Sequence, residues 1–329
     1  MNERGFSWDA VKQIVETRHR FVLATHVNAD GDGLGAQLAL FHFLRRRGKQ
    51  VRIVNTDPPP HNFGFLDPEG LIEQYDPPVH DPVLDGAEAI VLLDNSSAQR
   101  LGRMRERIEG SPAPKVCIDH HPQPDTAWDV MAIDDTASAT GEMIYELIRE
   151  MDGDIPREAA EPIYVSIVTD TGNFRFSNTK PRILRIAADL VEKGVSVPKI
   201  YQEIYERNSA AFTRLLGAAL SDVRLEQEGR LGYLVITKDL MRRVDAEGED
   251  TSEVINHVLA IDGARVAVLF REMDEGQTKV SLRSKGTIDV RAVAARFGGG
   301  GHRNASGIVL QTPLPEALEK VLAEVRPIV

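Results

Sequence analysis

Three short apolar runs in this chain each stop at a side chain that has no place in a hydrophobic core. Phe21-Val22-Leu23-Ala24-Thr25 ends at His26, Ala89-Ile90-Val91-Leu92-Leu93 at Asp94, and Lys115-Val116-Cys117-Ile118 at Asp119. Short unbroken apolar runs read as strands buried on both faces. The first leads into a helical pattern from Leu34 to Arg47, apolar at 34, 38, 40, 41 and 44, and then into a further strand, Val51-Arg52-Ile53-Val54. Strand, turn, helix, strand is a βαβ unit, which implies a parallel sheet. The strand C-termini of such a sheet share one edge, and ligands bind in the crevice there. His26, Asp94 and Asp119 are therefore expected to converge.

The pattern continues with a proline-rich loop over 58–82, helices over 137–151 and 181–193, and an apolar helical stretch at 162–168 that leads to Asp170. Gly194 is placed to cap the second of these helices. After helical segments over 197–222 the character changes. Strands at 231–236, 265–270 and 278–283 alternate with helices near 251–260, 289–296 and 314–326. A chain of 329 residues is long for one compact domain. The expectation is an α/β protein in two parts: a parallel-sheet domain over 1–190, a helical linker over 191–225, and a smaller α/β domain with a mixed sheet over 226–329. The active-site cleft is expected between them.

Composition limits the partners. The net charge is −11, which argues against a grip on long duplex nucleic acid, because phosphate neutralisation by basic surfaces supplies most of that affinity. A small phosphorylated ligand remains compatible, since a few arginines and bound cations make a local positive site. The acidic stretch that includes Glu247, Glu249 and Asp250 reads as a solvated face. No run reaches the roughly 18 apolar residues a membrane span needs, and residues 1–5 lack the apolar region of a signal peptide. The single cysteine, Cys117, cannot form an internal disulfide and reads as a core residue. A cytoplasmic location follows as the expectation.

Asp30 and Asp32 follow His26 with glycine between them. The stretch reads either as an Asp/Gly turn with a capping aspartate or as a loop aiming two carboxylates at different ions. It lacks the acidic twelfth ligand of an EF-hand. Asp94 reads as a helix cap or a ligand. The adjacent His120-His121 at a strand end is hard to place in a core. Converging carboxylates repel unless cations sit between them. Mixed His and carboxylate donors suit Mn²⁺, Fe²⁺, Zn²⁺ or Co²⁺. Two such ions about 3.5–4 Å apart can activate water and stabilise a leaving oxygen in phosphoryl displacement.

These residues resemble the DHH phosphoesterase superfamily. The motifs occur in order: His26-x-x-x-Asp30-x-Asp32, Asp94, Asp119-His120-His121, and Asp170 in Ile167-Val168-Thr169-Asp170-Thr171-Gly172. Ala29 stands where proline is common in that family. The C-terminal half resembles the DHH-associated substrate-binding domain, through Phe297-Gly298-Gly299-Gly300-Gly301-His302-Arg303-Asn304-Ala305-Ser306-Gly307 and the preceding Ser281-Leu282-Arg283-Ser284. Domain order and length are similar to the bifunctional oligoribonuclease and 3′-phosphoadenosine-5′-phosphate phosphatase group, the nanoRNases. The resemblance implies one ion on His26, Asp30 and Asp94, and a second on Asp32, Asp94, His120 and Asp170. It makes Asp119 a supporting group, orienting His120 or another ligand, and puts His121 near the scissile phosphate. Mn²⁺ is the expected ion, with Mg²⁺ and Co²⁺ as alternatives.

A glycine run exposes successive backbone N–H groups and suits either a hinge or a phosphate nest. The resemblance implies that Arg283 and His302 bind the terminal phosphate or nucleotide end of the substrate; Gly300 and Gly301 are candidates through their backbone N–H groups, and Ser281 and Lys285 are weaker ones. Arg100 is a candidate phosphate ligand or a surface arginine. Phe174 and Phe176 read as core packing or as a surface on which a base stacks. The expected activity is hydrolysis of short oligoribonucleotides such as pApA to 5′-monophosphates, or of 3′-phosphoadenosine 5′-phosphate to AMP, by a homodimer. The alternatives are a RecJ-type single-strand exonuclease, a cyclic dinucleotide phosphodiesterase and a non-catalytic nucleotide sensor.

Overall fold

The computed structural model describes residues 6–121, 124, 126–249 and 251–329. Asp250 and the N-terminal residues 1–5 lie outside these. The chain divides into two compact units, Met1–Arg207 and Asn208–Val329.

The first unit runs α1 (Asp9–Thr17), β1 (Arg20–Ala24), α2 (Gly31–Arg46), β2 (Gln50–Asn55), β3 (Ile72–Gln74), α3 (Pro77–Asp85), β4 (Ala89–Leu93), α4 (Arg105–Gly110), β5 (Lys115–Asp119), β6 (Val130–Ile133), α5 (Thr140–Asp152), α6 (Arg157–Asp170), α7 (Pro181–Glu192) and α8 (Val197–Tyr205). Its sheet has the order β3-β2-β1-β4-β5-β6 and every pair is parallel. Successive residues of the apolar runs serve opposite faces. Leu23, Val91 and Leu93 join the core under α2, α5 and α6, while Val22, Ile90 and Leu92 join the core under α3 and α4. That two-sided burial is why the runs show no alternation.

The strand order reverses direction between β1 and β4. The connections leave these neighbours to opposite sides, which opens a crevice at their C-terminal ends. Helix α2 begins at Gly31, three residues earlier than the apolar pattern predicts. Asp30 is its N-cap, accepting from the N–H groups of Asp32 at 3.0 Å and Gly33 at 3.2 Å. The glycines that hid this turn are required by space. A Cβ on Gly33 would lie 2.5 Å from Thr25 Oγ1, and one on Gly35 would lie 2.4 Å from the Pro162 carbonyl oxygen. Strands β3 and β6 went unread because each is short and lies in a segment of loop composition.

The second unit runs α9 (Ala210–Ser221), β7 (Arg224–Glu226), β8 (Leu231–Ile236), α10 (Lys238–Arg243), α11 (Val254–Leu259), β9 (Val266–Glu272), β10 (Thr278–Ser284), α12 (Val290–Arg296), β11 (Gly300–His302), β12 (Ala305–Leu310) and α13 (Leu314–Val325). Its mixed sheet has the order β11-β12-β10-β9-β8-β7, parallel only at β8–β9. One face packs on α12 and α13, the other on α9, α10 and α11. Among the described residues, no helix is long and apolar enough to cross a membrane.

Candidate metal centre

The C-terminal ends of β1, β4 and β5, with the ends of α2 and α6, bring His26, Asp30, Asp32, Asp94, Asp119, His120, His121 and Asp170 into one cluster. Asp94 is at its middle. Its Oδ2 lies 3.3 Å from His26 Nε2, and its Oδ1 lies 3.7 Å from His120 Nε2 and 3.5 Å from His121 Nδ1. One carboxylate thus faces two groups of donors. Asp94 does not cap the helical turn that follows it. Its φ of 54° is in the left-handed region, unusual for a side chain other than glycine, and aspartate is among the residues that tolerate it.

The first donor set is His26, Asp30 and Asp94, whose ligand atoms lie within 4.8 Å of one another. His26 Nδ1 donates to the Val27 carbonyl oxygen at 2.7 Å, which orients the ring with Nε2 toward the carboxylates. Asp30 divides its work: Oδ1 caps α2 while Oδ2 lies 3.9 Å from His26 Nε2. The capping reading of this aspartate is realised, and its second oxygen faces the first donor set.

The second set is Asp32, His120 and Asp170, again within 4.8 Å. His120 Nε2 lies 3.4 Å from Asp32 Oδ2 and 3.7 Å from Asp170 Oδ2. Asp32 is buried and heavily supported. It accepts from the N–H groups of Thr140 at 2.8 Å and Gly141 at 3.1 Å, and from the Ser166 hydroxyl. Asp170 is steadied by Asn178 Nδ2 at 3.3 Å. Asp119 is fully buried and accepts from the His121 N–H at 3.2 Å and from its Nδ1 at 2.7 Å.

Burial and crowding set the protonation of the cluster. Burial, reinforced by Asp94, pushes Asp32 well above the usual carboxylate range. Burial raises Asp170 to about 6. Burial alone disfavours a charged His120, but Asp170, Asp32 and Asp94 outweigh it and raise the ring to about 10. Asp94 is held below the usual range because His26, His121 and His120 overcome its burial. So many converging carboxylates demand positive charge among them. Two mixed nitrogen and oxygen donor sets sharing one carboxylate fit a pair of divalent ions.

Arg100 is half-buried. Its carbonyl accepts from the Val27 N–H at 2.7 Å. In the second unit, Arg283 on β10 pairs with Ala305 on β12, which pairs with His302 on β11. Residues directly opposite share a face, so Arg283 and His302 flank one alanine in a single row. Arg283 has no carboxylate within ion-pair distance among the described residues, and burial lowers it despite Glu253. Ser281 lies two residues along β10, opposite Gly307. Gly300 and Gly301 are strand residues rather than a free loop, and Gly301 has a φ of 132°. Lys285 is exposed beyond the end of β10.

The DHH family, N-terminal domain model matches residues 20–167 and the DHHA1 domain model matches residues 232–329. A bifunctional oligoribonuclease and PAP phosphatase NrnA of Thermus thermophilus is 33% identical over 97% of this chain and 94% of that protein. The chain belongs to the DHH family. The relative of the same description from Bacillus subtilis is 30% identical over 87% of this chain and 88% of its own. A solved structure of an exopolyphosphatase-related protein from Bacteroides fragilis superposes with a TM-score of 0.91, at 30% identity, covering 97% of this chain and 96% of that one. DHH phosphoesterases are metal-dependent, and the two donor sets have the chemistry and spacing to bind metal.

Thr140, Gly141, Ser166 and Asn178 escaped the sequence reading of this DHH site. They touch Asp32 or Asp170 and are small or neutral, so no charge or spacing marks them. Ser166 had one faint signal, a serine in the apolar run before Asp170.

Proposed function

We propose that this chain is a two-metal phosphoesterase that hydrolyses short oligoribonucleotides to nucleoside 5′-monophosphates, and 3′-phosphoadenosine 5′-phosphate to AMP. The observation that carries the reading is Asp94 with one oxygen toward each donor set, 3.3 Å from His26 and 3.7 Å from His120. The activity of both named relatives supports the substrates. His26, Asp30 and Asp94 would hold one ion, and Asp32, Asp94, His120 and Asp170 the other.

When bound, a pair of divalent ions supplies an activated water and neutralises charge developing on the phosphoryl oxygens. The protein's own groups do the rest. Burial works against a charged His121, but Asp119 and Asp94 prevail and favour the protonated ring. That makes His121 a hydrogen-bond donor to the scissile phosphate or its leaving oxygen. Asp119 positions it through Nδ1. Arg283, His302, Ser281 and the backbone of Gly300 and Gly301 take the terminal phosphate or nucleotide end, and Arg100 a further phosphate oxygen.

The same reading takes Mn²⁺ as the ion, with Mg²⁺ and Co²⁺ as alternatives, and a cytoplasmic location. It takes a homodimer as the assembly, for which Leu184 and Val191, both exposed and seven residues apart on α7, offer an apolar patch. The test is release of mononucleotides from pApA, and of phosphate from 3′-phosphoadenosine 5′-phosphate, across a series of metals. Asp94→Ala is expected to lose on the order of 10³-fold in turnover, since several kcal/mol of charge stabilisation depends on the ions. A variant that keeps full activity overturns the mechanism.

A further inference from the structure

Beyond Asp170 the chain passes through three successive left-handed residues, Gly172, Asn173 and Phe174, with φ of 55, 57 and 62°. The turn is firmly made. The Thr171 carbonyl accepts from the N–H groups of Arg175 and Phe176, both at 3.0 Å, and Thr171 Oγ1 accepts from Phe174 N–H at 3.1 Å. Asn178 Nδ2 reaches back to the Asp170 carbonyl at 3.1 Å and its carboxylate at 3.3 Å. The segment is thereby tied at both ends to a metal-ligand candidate.

Its two aromatic rings go different ways. Phe174 packs on the core and meets Tyr164 edge-on at 6.3 Å. Phe176 stays 46% exposed. A Cβ on Gly172 would lie 2.4, 2.5 and 2.7 Å from Cζ, Cε2 and Cε1 of that ring. Such similar distances place the glycine over the ring face rather than at its edge, so the backbone supports one side of Phe176. The exposed Arg175 has its guanidinium 5.7 Å from the ring centroid, with Nε anchored 2.8 Å from the Gly172 carbonyl oxygen. A ring that is 46% exposed and backed by Gly172, with a guanidinium over it and six residues from Asp170, has the form of a surface for a flat, anionic ligand.

We propose that Phe176, flanked by Arg175, is a stacking platform for the nucleobase adjoining the phosphate at the metal centre. The proposal rests on the phosphoesterase reading above. It makes Phe176 a specificity residue: the metals and His121 act on any phosphate ester, while the ring favours esters that carry a base. Stacking tolerates every base, since each has a π-face.

The experiment compares kcat/KM on pApA with that on its analogues made abasic at either position, for the wild type, Phe176→Ala and Phe176→Trp. Phe176→Ala is expected to lose about tenfold or more on pApA, the size of one base stack, and less than about twofold on one of the two abasic analogues. Phe176→Trp should keep wild-type rates, and its added indole fluorescence should be quenched by 3′-phosphoadenosine 5′-phosphate. Equal losses on all three substrates, or no loss on pApA, overturn the platform and leave the activity standing. A wild type that turns over none of them overturns the activity and the platform with it. Thermal melts of both variants separate a folding defect from a lost contact.

Discussion

Asp32 and Thr140 are 108 residues apart in sequence and joined by a 2.8 Å hydrogen bond, from the Thr140 N–H to the Asp32 carboxylate. With Gly141, Thr140 opens α5, so Asp32 sits at the positive end of a helix. The Ser166 hydroxyl completes the cradle, donating to Asp32 while accepting from Gly141 N–H at 2.9 Å. Ser166→Ala removes that donor and frees the carboxylate to rotate. We expect Mn²⁺ affinity to fall about 10–100-fold, the usual effect of losing a group that orients a ligand. Calorimetric titration checks this, and unchanged affinity would refute the role.

The protonated His120 ties metal loading to pH. Its folded-state value is raised from 6.5 to about 10. Stability from that proton is complete below the unfolded value and is lost as pH rises toward the folded one. Asp170, raised to about 6, acts in the same direction over a lower window. The metal-free protein should therefore melt at progressively lower temperature from pH 7 to pH 10. Metal binding needs the neutral ring and tightens with rising pH. The gap between chelated and Mn²⁺-loaded melting temperatures should widen over that range, and a constant gap would count against it.

Gly35→Ala tests how α2 and α6 set the site. The added Cβ would meet the Pro162 carbonyl oxygen at 2.4 Å and Ser166 Cβ at 2.9 Å. Backbone cannot yield as a flexible side chain does, so the two helices must separate. We expect a loss of about 1–3 kcal/mol in denaturant unfolding, typical of overpacking. Because Asp32 and Asp170 sit on these helices, metal affinity should fall as well.

Arg283→Ala should raise KM for pApA about tenfold or more, as expected for a lost hydrogen bond to a charged group, with a smaller effect on kcat. Arg283→Lys should recover only part, because a point charge cannot reproduce the guanidinium fork. Mn²⁺ affinity should be unchanged in both. A variant whose KM stays at the wild-type value removes Arg283 from the substrate contacts.

Much of this protein was legible in order along the chain. The apolar runs at 21–25, 89–93 and 115–118 specified β1, β4 and β5, because a strand buried on both faces needs every residue apolar. Gly194, with a φ of 98°, ends α7 as its position predicts. Short strands such as β3 and β6 carry too few residues to show a period, and partners supplied by the sheet made them. Phe174 and Phe176 looked alike in sequence. Only packing made one a core residue and the other an exposed ring.

The DHH run that marks the site shows the same division. By itself the sequence determined which side chains can bind metal, because His and Asp carry the donor atoms, and it determined that they follow strands. The tertiary structure decided how each is used. It turned Asp94 into a left-handed conformation with an oxygen toward each donor set, and gave Asp119 to His121. It set Asp32 on the N–H groups of α5, and it put Arg283 and His302 in one row around Ala305. Donor chemistry is local to a residue. Distance and orientation between residues far apart in sequence exist only once the sheet has closed its register and the helices have packed.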